Sequence, residues 1–399
     1  MRASRLFAHA PWLIAVAASL PARGADDGLH LNAALGWHHD DNLLRVPDGD
    51  PGYGGRRGDS WRTLDVGAAF SHWYARQRIE ASVQLSQVHF DDFSQLDYDG
   101  KDARATWFWQ AGSQFEGKLG AHHVALLAPY TDLRTSARNL RVQDSHFVDG
   151  AWRLHPRWRA RLAYQEDRYR YELGSQRPNN RREQAREGGL DYVTPGGSEV
   201  GVLLRRLEGR YQYRRDLASA LDDFRQDEYR LRVNWLASAR TSVDLLAGWS
   251  ARTQDAFGPG QVSGVTGRLR LAYAPSARTS IDAALWRDFA PIESSVVSYT
   301  LNRGASLAAA WQATAKVRLD ASGAFEQRDY RARTALPGPA AGIDLDDTLR
   351  TRSLNVRYTP ARKVELGLTL AQQVRSGTRA LGIGAFRSTS AAINASLTF

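Results

Sequence analysis

The chain has 399 residues, 53 basic and 43 acidic side chains, a formal net charge of +10 and no cysteine, which excludes disulfides, zinc-thiolate sites and thiol nucleophiles. Mean hydropathy is −0.47 and hydrophobic residues make up 43%. Beyond the N-terminus no segment approaches the ~20 uninterrupted apolar residues of a transmembrane helix, so a helical membrane protein is excluded as well.

The chain opens with Arg2 and Arg5, an apolar stretch from Trp12 to Leu20, and then Pro21, Ala22, Arg23 and Gly24. That order predicts a secretory signal peptide over residues 1–24, leaving 25–399 as the mature, exported protein. From there strict alternation of apolar with polar or small residues predicts strands with two unlike faces. Leu29, Leu31, Ala33, Leu35 and Trp37 point one way, and His30, Asn32, Ala34, Gly36 and His38 the other. The same period returns in Trp158–Gln165, Arg268–Tyr273 and Ala392–Phe399.

Between strands lies a repeated turn: an aromatic residue, about four small or turn-forming residues, a basic residue and a new strand. The clear copies begin at Trp235, Tyr273, Trp311 and Tyr358, and weaker ones at Trp73, Trp109, Trp152 and Tyr192, the last with Pro195-Gly196-Gly197 as its turn. Such a repeat signals one supersecondary unit used many times, here a hairpin followed by a longer polar loop. Eight short turns, with a terminal strand added at each end, predict an all-β, transmembrane antiparallel barrel of about 18 strands in the outer membrane. Short turns face the periplasm and long loops the exterior, while Trp235, Tyr273, Trp311, Tyr358 and the terminal Phe399 form a membrane girdle. A soluble propeller has four strands per repeat rather than two, and a β-sandwich needs a dry core that these one-sided strands lack.

No phosphate loop, nucleophile elbow or metal-binding helix motif occurs, and no Ser, His and acid trio stands out, so no catalytic residue, metal or cofactor is expected. His38-His39 and His122-His123 have ligand chemistry, but neighbours on a strand point to opposite faces and cannot readily share an ion. Asp97, Asp99, Gly100 and Asp102 resemble half a calcium loop that lacks its bidentate Glu, and a solvated loop fits them better.

The non-apolar faces say more. Arg159, Arg161, Arg230, Arg232, Arg268, Arg270, Arg318 and Arg357 all fall on them, with Asp244, Asp282 and Asp320 nine residues after girdle aromatics. Singly, each arginine could be an ion pair bracing the barrel. As a set they predict a polar, net-basic, anion-favouring lumen. Turns centred on Ser238 and Ser276 further predict the lumen-side pairs Arg232 with Asp244 and Arg270 with Asp282.

Asp40-Asp41-Asn42-Leu43-Leu44-Arg45, Phe90-Asp91-Asp92-Phe93-Ser94 with Gly100-Lys101-Asp102, Phe224-Arg225-Gln226-Asp227-Glu228, Trp311–Lys316 and the ending Leu397-Thr398-Phe399 resemble the EpsL-type outer-membrane proteins associated with exosortase B and extracellular polysaccharide biosynthesis. The resemblance implies an outer-membrane transporter in exopolysaccharide export and biofilm formation. Outer-membrane lipid, a secreted polysaccharide and periplasmic or inner-membrane assembly proteins would be its partners, with no nucleic acid among them. The first alternative is a general or solute-specific porin; the others are an outer-membrane enzyme and a plugged, purely structural barrel that anchors other assembly proteins.

Overall fold

The computed structural model describes residues 27–213, 223–254, 261–291, 297–332, 346–377 and 384–399. The expected signal peptide lies outside these residues. Eighteen antiparallel strands follow one another around a single sheet. They are β1 (Gly28–Asp40), β2 (Asp59–Tyr74), β3 (Gln77–Phe90), β4 (Tyr98–Ala111), β5 (Phe115–Leu127), β6 (Leu140–His155), β7 (Trp158–Tyr171), β8 (Arg181–Val193) and β9 (Glu199–Arg210). The second half comprises β10 (Phe224–Ser238), β11 (Thr241–Gln254), β12 (Gln261–Ser276), β13 (Thr279–Pro291), β14 (Val297–Gln312), β15 (Val317–Ala332), β16 (Asp346–Ala361), β17 (Val364–Gly377) and β18 (Phe386–Thr398). Strand β1 pairs with β18 from Asn32↔Thr398 to Asp40↔Ser390, which closes the barrel and leaves no strand edge unpaired.

The period-two pattern decides which residues face out. Leu35, Leu162, Val202, Leu307 and Ile393 are 56–73% exposed, the arrangement of a lipid-facing wall. The inward phases carry the polar and charged side chains, which bond to one another along the lumen wall, as Arg161 does with Asp191 and Asn234 with Asp244. No helix among the described residues is long and apolar enough to cross a membrane; the strands do the crossing.

The short turns have a common chemistry. The side chains of Ser238, Ser276 and Thr314, each three residues after a repeat aromatic, accept the backbone N–H of Arg240 (3.1 Å), Arg278 (3.2 Å) and Lys316 (3.2 Å), the local bond that makes these residues turn formers. The basic residue then reaches sideways: Arg240 donates to the Pro275 carbonyl at 3.1 Å and Lys316 to that of Pro360 at 3.0 Å, tying each turn to the next. In the 194–198 turn, Gly197 has φ of 81°, a left-handed conformation that glycine adopts without penalty.

Trp235, Tyr273, Trp311, Tyr358 and Phe399 all point outward at this end and are 42–59% exposed. Tyr273 pairs with Thr241, Trp311 with Thr279 and Tyr358 with Val317, so each aromatic sits beside the start of a preceding strand at one level of the barrel. Trp73 departs from the pattern. It shares the inward phase of Asp65 and Ser71 and carries the Arg78 guanidinium 5.5 Å from its ring centroid, leaving Tyr74 outward.

Candidate functional site

At the opposite rim the long connections fold over and into the lumen. Leu44 and Val46 from the 41–58 loop, Phe93 and Leu96 from 91–97 and Tyr130 from 128–139 make a buried apolar cluster with Val88 and Phe90 of β3. Burial and the nearby Glu172 charge push the Tyr130 hydroxyl pKa up. Arg138 holds the base of the 128–139 loop against its neighbour by donating to Glu172 at 2.6 and 3.2 Å. Those bonds hold the Glu172 carboxyl below its ordinary pKa.

From that anchor the loop reaches far across the barrel. Asp132 meets Arg328 of β15 at 3.3 Å and Arg375 of β17 at 3.2 Å, and the Thr131 carbonyl accepts a 2.6 Å bond from Arg375. Both arginines are held in place from behind. Asp347 of β16 accepts from Arg328 Nε at 2.8 Å, Arg375 Nε at 2.6 Å and the Tyr330 hydroxyl at 2.5 Å. Arg375, Asp347 and Tyr330 are almost wholly buried, so this is a built contact, not a surface encounter. A second knot lies on the other wall: the Arg252 guanidinium stands 3.6 Å from the Phe224 ring centroid and 5.2 Å from that of Tyr299.

All eight arginines expected in the lumen lie on inward phases of their strands, but not as an open ladder. Arg159, Arg161 and Arg232 converge on Glu199; Arg161 approaches it at 3.2 Å and Arg232 at 3.5 Å, while Arg159 also meets Glu116 at 3.4 Å. Arg161 and Arg232 meet Asp191 at 2.5 and 3.6 Å. Arg230 does not line an open path: it is buried against Glu228 and Asp288, each at 3.0 Å. Arg318 and Arg357 share Asp320 at 2.9 and 2.6 Å. Arg268 sits on β12 opposite Trp286.

Arg270 does meet Asp282, at 2.5 Å, but diagonally, since Arg270 stands opposite Ala284 and Asp282 opposite Ala272. Arg232 and Asp244 share a face but not a rung, because the turn lies at Ala239–Arg240 and a register shift falls between Leu236 and Ser238. Arg232 therefore pairs with Leu246, and Asp244 bonds Asn234. The arginine excess expected from sequence is also corrected. Counting only Asp244, Asp282 and Asp320 left out Glu116, Asp149, Asp191, Glu199, Glu228, Asp288, Glu326 and Asp347, which also face inward; these eleven carboxylates match the eight arginines taken together with the inward Arg252, Arg328 and Arg375.

The histidine pairs divide between the two faces. His38 stacks on Trp61 at 5.1 Å while His39 bonds Ser60 at 2.9 Å; His122 meets Asp102 at 2.8 Å and His123 meets Asp144 at 2.7 Å. Asp97 bonds His89 at 3.0 Å, away from Asp102. Among the described residues no group of three or more His, Asp or Glu could hold a metal.

Sequence reasoning missed Asp132, Arg328, Tyr330, Asp347 and Arg375. The strand-borne four had a signal, since they sit on inward phases at outer strand ends. Asp132 had none: its partners lie about two hundred residues away in the chain.

A closed 18-stranded barrel with an apolar outer wall and a polar, loop-crossed lumen defines an outer-membrane β-barrel. No family model and no curated protein matches the chain. Solved structures do: OccK2 (OpdF) of Pseudomonas aeruginosa superposes with a TM-score of 0.50 at 13% identity, over 94% of this chain and 98% of that one. OpdL of the same organism gives 0.47 at 10% identity, covering 94% and 99%. The siderophore receptor PirA of P. aeruginosa gives 0.45 at 11%, covering 94% and 80%. The OccK2 likeness is one of fold.

Proposed function

We propose that the protein is an outer-membrane diffusion channel for small hydrophilic solutes, narrowed by the 128–139 loop. The observation that carries this reading is the attachment of Asp132 to Arg328 and Arg375, which holds the loop across the lumen. An 18-stranded barrel alone is wide enough for an aqueous channel; a pinned loop turns it into a sieve. Groups bearing hydroxyls or carboxylates could then exchange with the paired charges below, among them Arg270 with Asp282 and Arg318 with Asp320, provided that no contact is too tight to leave.

Asp132→Ala tests the proposal. Freeing the loop should raise single-channel conductance in planar bilayers, to roughly twice the wild-type value if half the outer opening is vacated, because conduction follows the width and lining of the narrowest point. Unchanged conductance would remove the loop from the path.

Export of an extracellular polysaccharide, together with the assembly partners that it implies, is the second reading. It rests on the EpsL-type resemblance. The best of the resembling motifs is architectural here: Asn42 accepts the Val46 N–H and donates to the Val46 and Arg387 carbonyls, and Arg45 meets Asp40 at 2.9 Å. Loss of extracellular polymer with normal solute uptake in a deletion strain would favour export over the channel.

A further inference from the structure

The outer wall carries a basic cluster that the channel does not use. On β16 the outward side chains run Tyr358, Val356, Leu354 and then Arg352 and Arg350; on β17 they run Leu366, Leu368, Leu370 and then Gln372 and Val374. Strand β18 adds Ile393, Ala391, Thr389 and then Arg387, which lies opposite Val374. Arg350, Arg352, Gln372, Val374 and Arg387 surround one cleft of about 190 Å³. That Arg350 points outward is fixed by its contact with Phe325, a lipid-facing ring whose centroid is 5.8 Å from the guanidinium.

Height and pairing give the cluster its meaning. Arg352 and Arg350 stand six and eight residues above the girdle position Tyr358 and Arg387 twelve above Phe399, about 14–28 Å of height on a strand tilted by about 45°, against an apolar band about 25 Å tall. They occupy the upper half and outer edge of that band, from where long guanidinium side chains reach the outer-leaflet headgroups. Elsewhere on the same wall outward arginines are neutralised by carboxylates: Arg62 by Asp91 at 3.3 Å, Arg206 by Asp227 at 2.6 Å and Arg303 by Asp329 at 2.7 Å. Among the described residues, no carboxylate lies within ion-pair distance of Arg350, Arg352 or Arg387. The outward acids nearest in register are Asp346, four residues from Arg350, and Asp41, whose carboxylate accepts the Thr389 N–H at 2.7 Å.

We propose that Arg350, Arg352 and Arg387, with Gln372, form a site for the phosphate groups of an outer-leaflet glycolipid of the lipid A type. Guanidinium forks match phosphate oxygens in pairs, and three uncompensated cations around one cleft complement a doubly phosphorylated headgroup. A free phosphate ion would use only the arginines. A lipid also lays its acyl chains on the apolar wall directly below, against Leu354, Leu370 and Ile393.

The test uses the full barrel in detergent micelles, with binding read by native mass spectrometry. The probes are bisphosphorylated lipid A, the same lipid with both phosphates removed, and inorganic phosphate as competitor. The proposal expects wild-type protein to retain the bisphosphorylated lipid and to bind the dephosphorylated one about tenfold less or weaker, the loss of one or more charge-assisted contacts. The triple variant Arg350→Gln, Arg352→Gln, Arg387→Gln should weaken binding by a similar factor, and Arg206→Gln, which removes a paired arginine, should leave it within about twofold. Equal binding of the dephosphorylated lipid overturns the proposal, and so does an unchanged triple variant. Displacement by millimolar inorganic phosphate would make the ion, not the lipid, the ligand and overturns it equally. The dephosphorylated probe acts on wild-type protein, so the test stands even if the triple variant fails to assemble.

Discussion

At the scale of single residues, two ion pairs of similar geometry should differ widely in worth. Arg270 and Asp282 meet at 2.5 Å, but each side chain is about 40% exposed. Water and salt screen such a pair, and Asp282→Ala should cost no more than about 1 kcal/mol. Asp347 is 4% exposed and serves two buried guanidinium groups and the Tyr330 hydroxyl. Removing it strands charges that cannot rehydrate, so Asp347→Ala should destabilise the barrel by about 3–5 kcal/mol. Denaturant titration of both variants in the same detergent checks the contrast, and equal losses would mean that the outer knot is as wet as the inner pair. This distinction was invisible in the sequence. Asp282 and Asp347 both sit on inward phases, and only the folded loop above Asp347 separates a solvated carboxylate from a buried one.

At the scale of elements, the hairpin is where the sequence speaks most clearly. Period-two alternation and the repeated aromatic-to-basic turn were enough to count the strands and to orient each face. The register inside each hairpin was harder to read, because a single displaced residue at Leu236–Ser238 moves every rung below it. Ser238, taken as the centre of its turn, is instead the residue that braces it. Replacing Ser238, Ser276 and Thr314 together with Ala removes four local side-chain bonds of 3.0–3.2 Å, two of them at Thr314. Each such bond contributes about 0.5–1 kcal/mol, so the triple variant should lose roughly 2 kcal/mol while keeping its strand content. Circular dichroism with a thermal melt separates these outcomes, and an unaltered melt would show that the cross-turn contacts of Arg240 and Lys316 suffice alone.

At the scale of the whole molecule, the sequence showed that the lumen is charged but not how the charge is balanced. Arginines are conspicuous in the strands because they recur in pairs such as Arg159 with Arg161 and Arg230 with Arg232, whereas their carboxylate partners come singly, some from the same strand, as Glu228 does for Arg230, and others from elsewhere in the barrel. Glu199 of β9 alone meets Arg159, Arg161 and Arg232. A pore sees the sum, not the pairs, since low-dielectric walls focus only the uncompensated field. With carboxylates and guanidinium groups level along the walls, and Asp132 facing Arg328 and Arg375 at the constriction, potassium and chloride permeabilities should agree within about twofold. Reversal potential across a salt gradient in a planar bilayer measures the ratio directly. Glu199→Gln then leaves three arginines at one level sharing only Glu116 and Asp191, a net gain of one positive charge, and the same measurement should shift toward anions. A wild-type ratio beyond about tenfold in either direction would mean that ions follow a path lined by only part of this set. A selective wild type that Glu199→Gln leaves unchanged would place that path away from β7–β10.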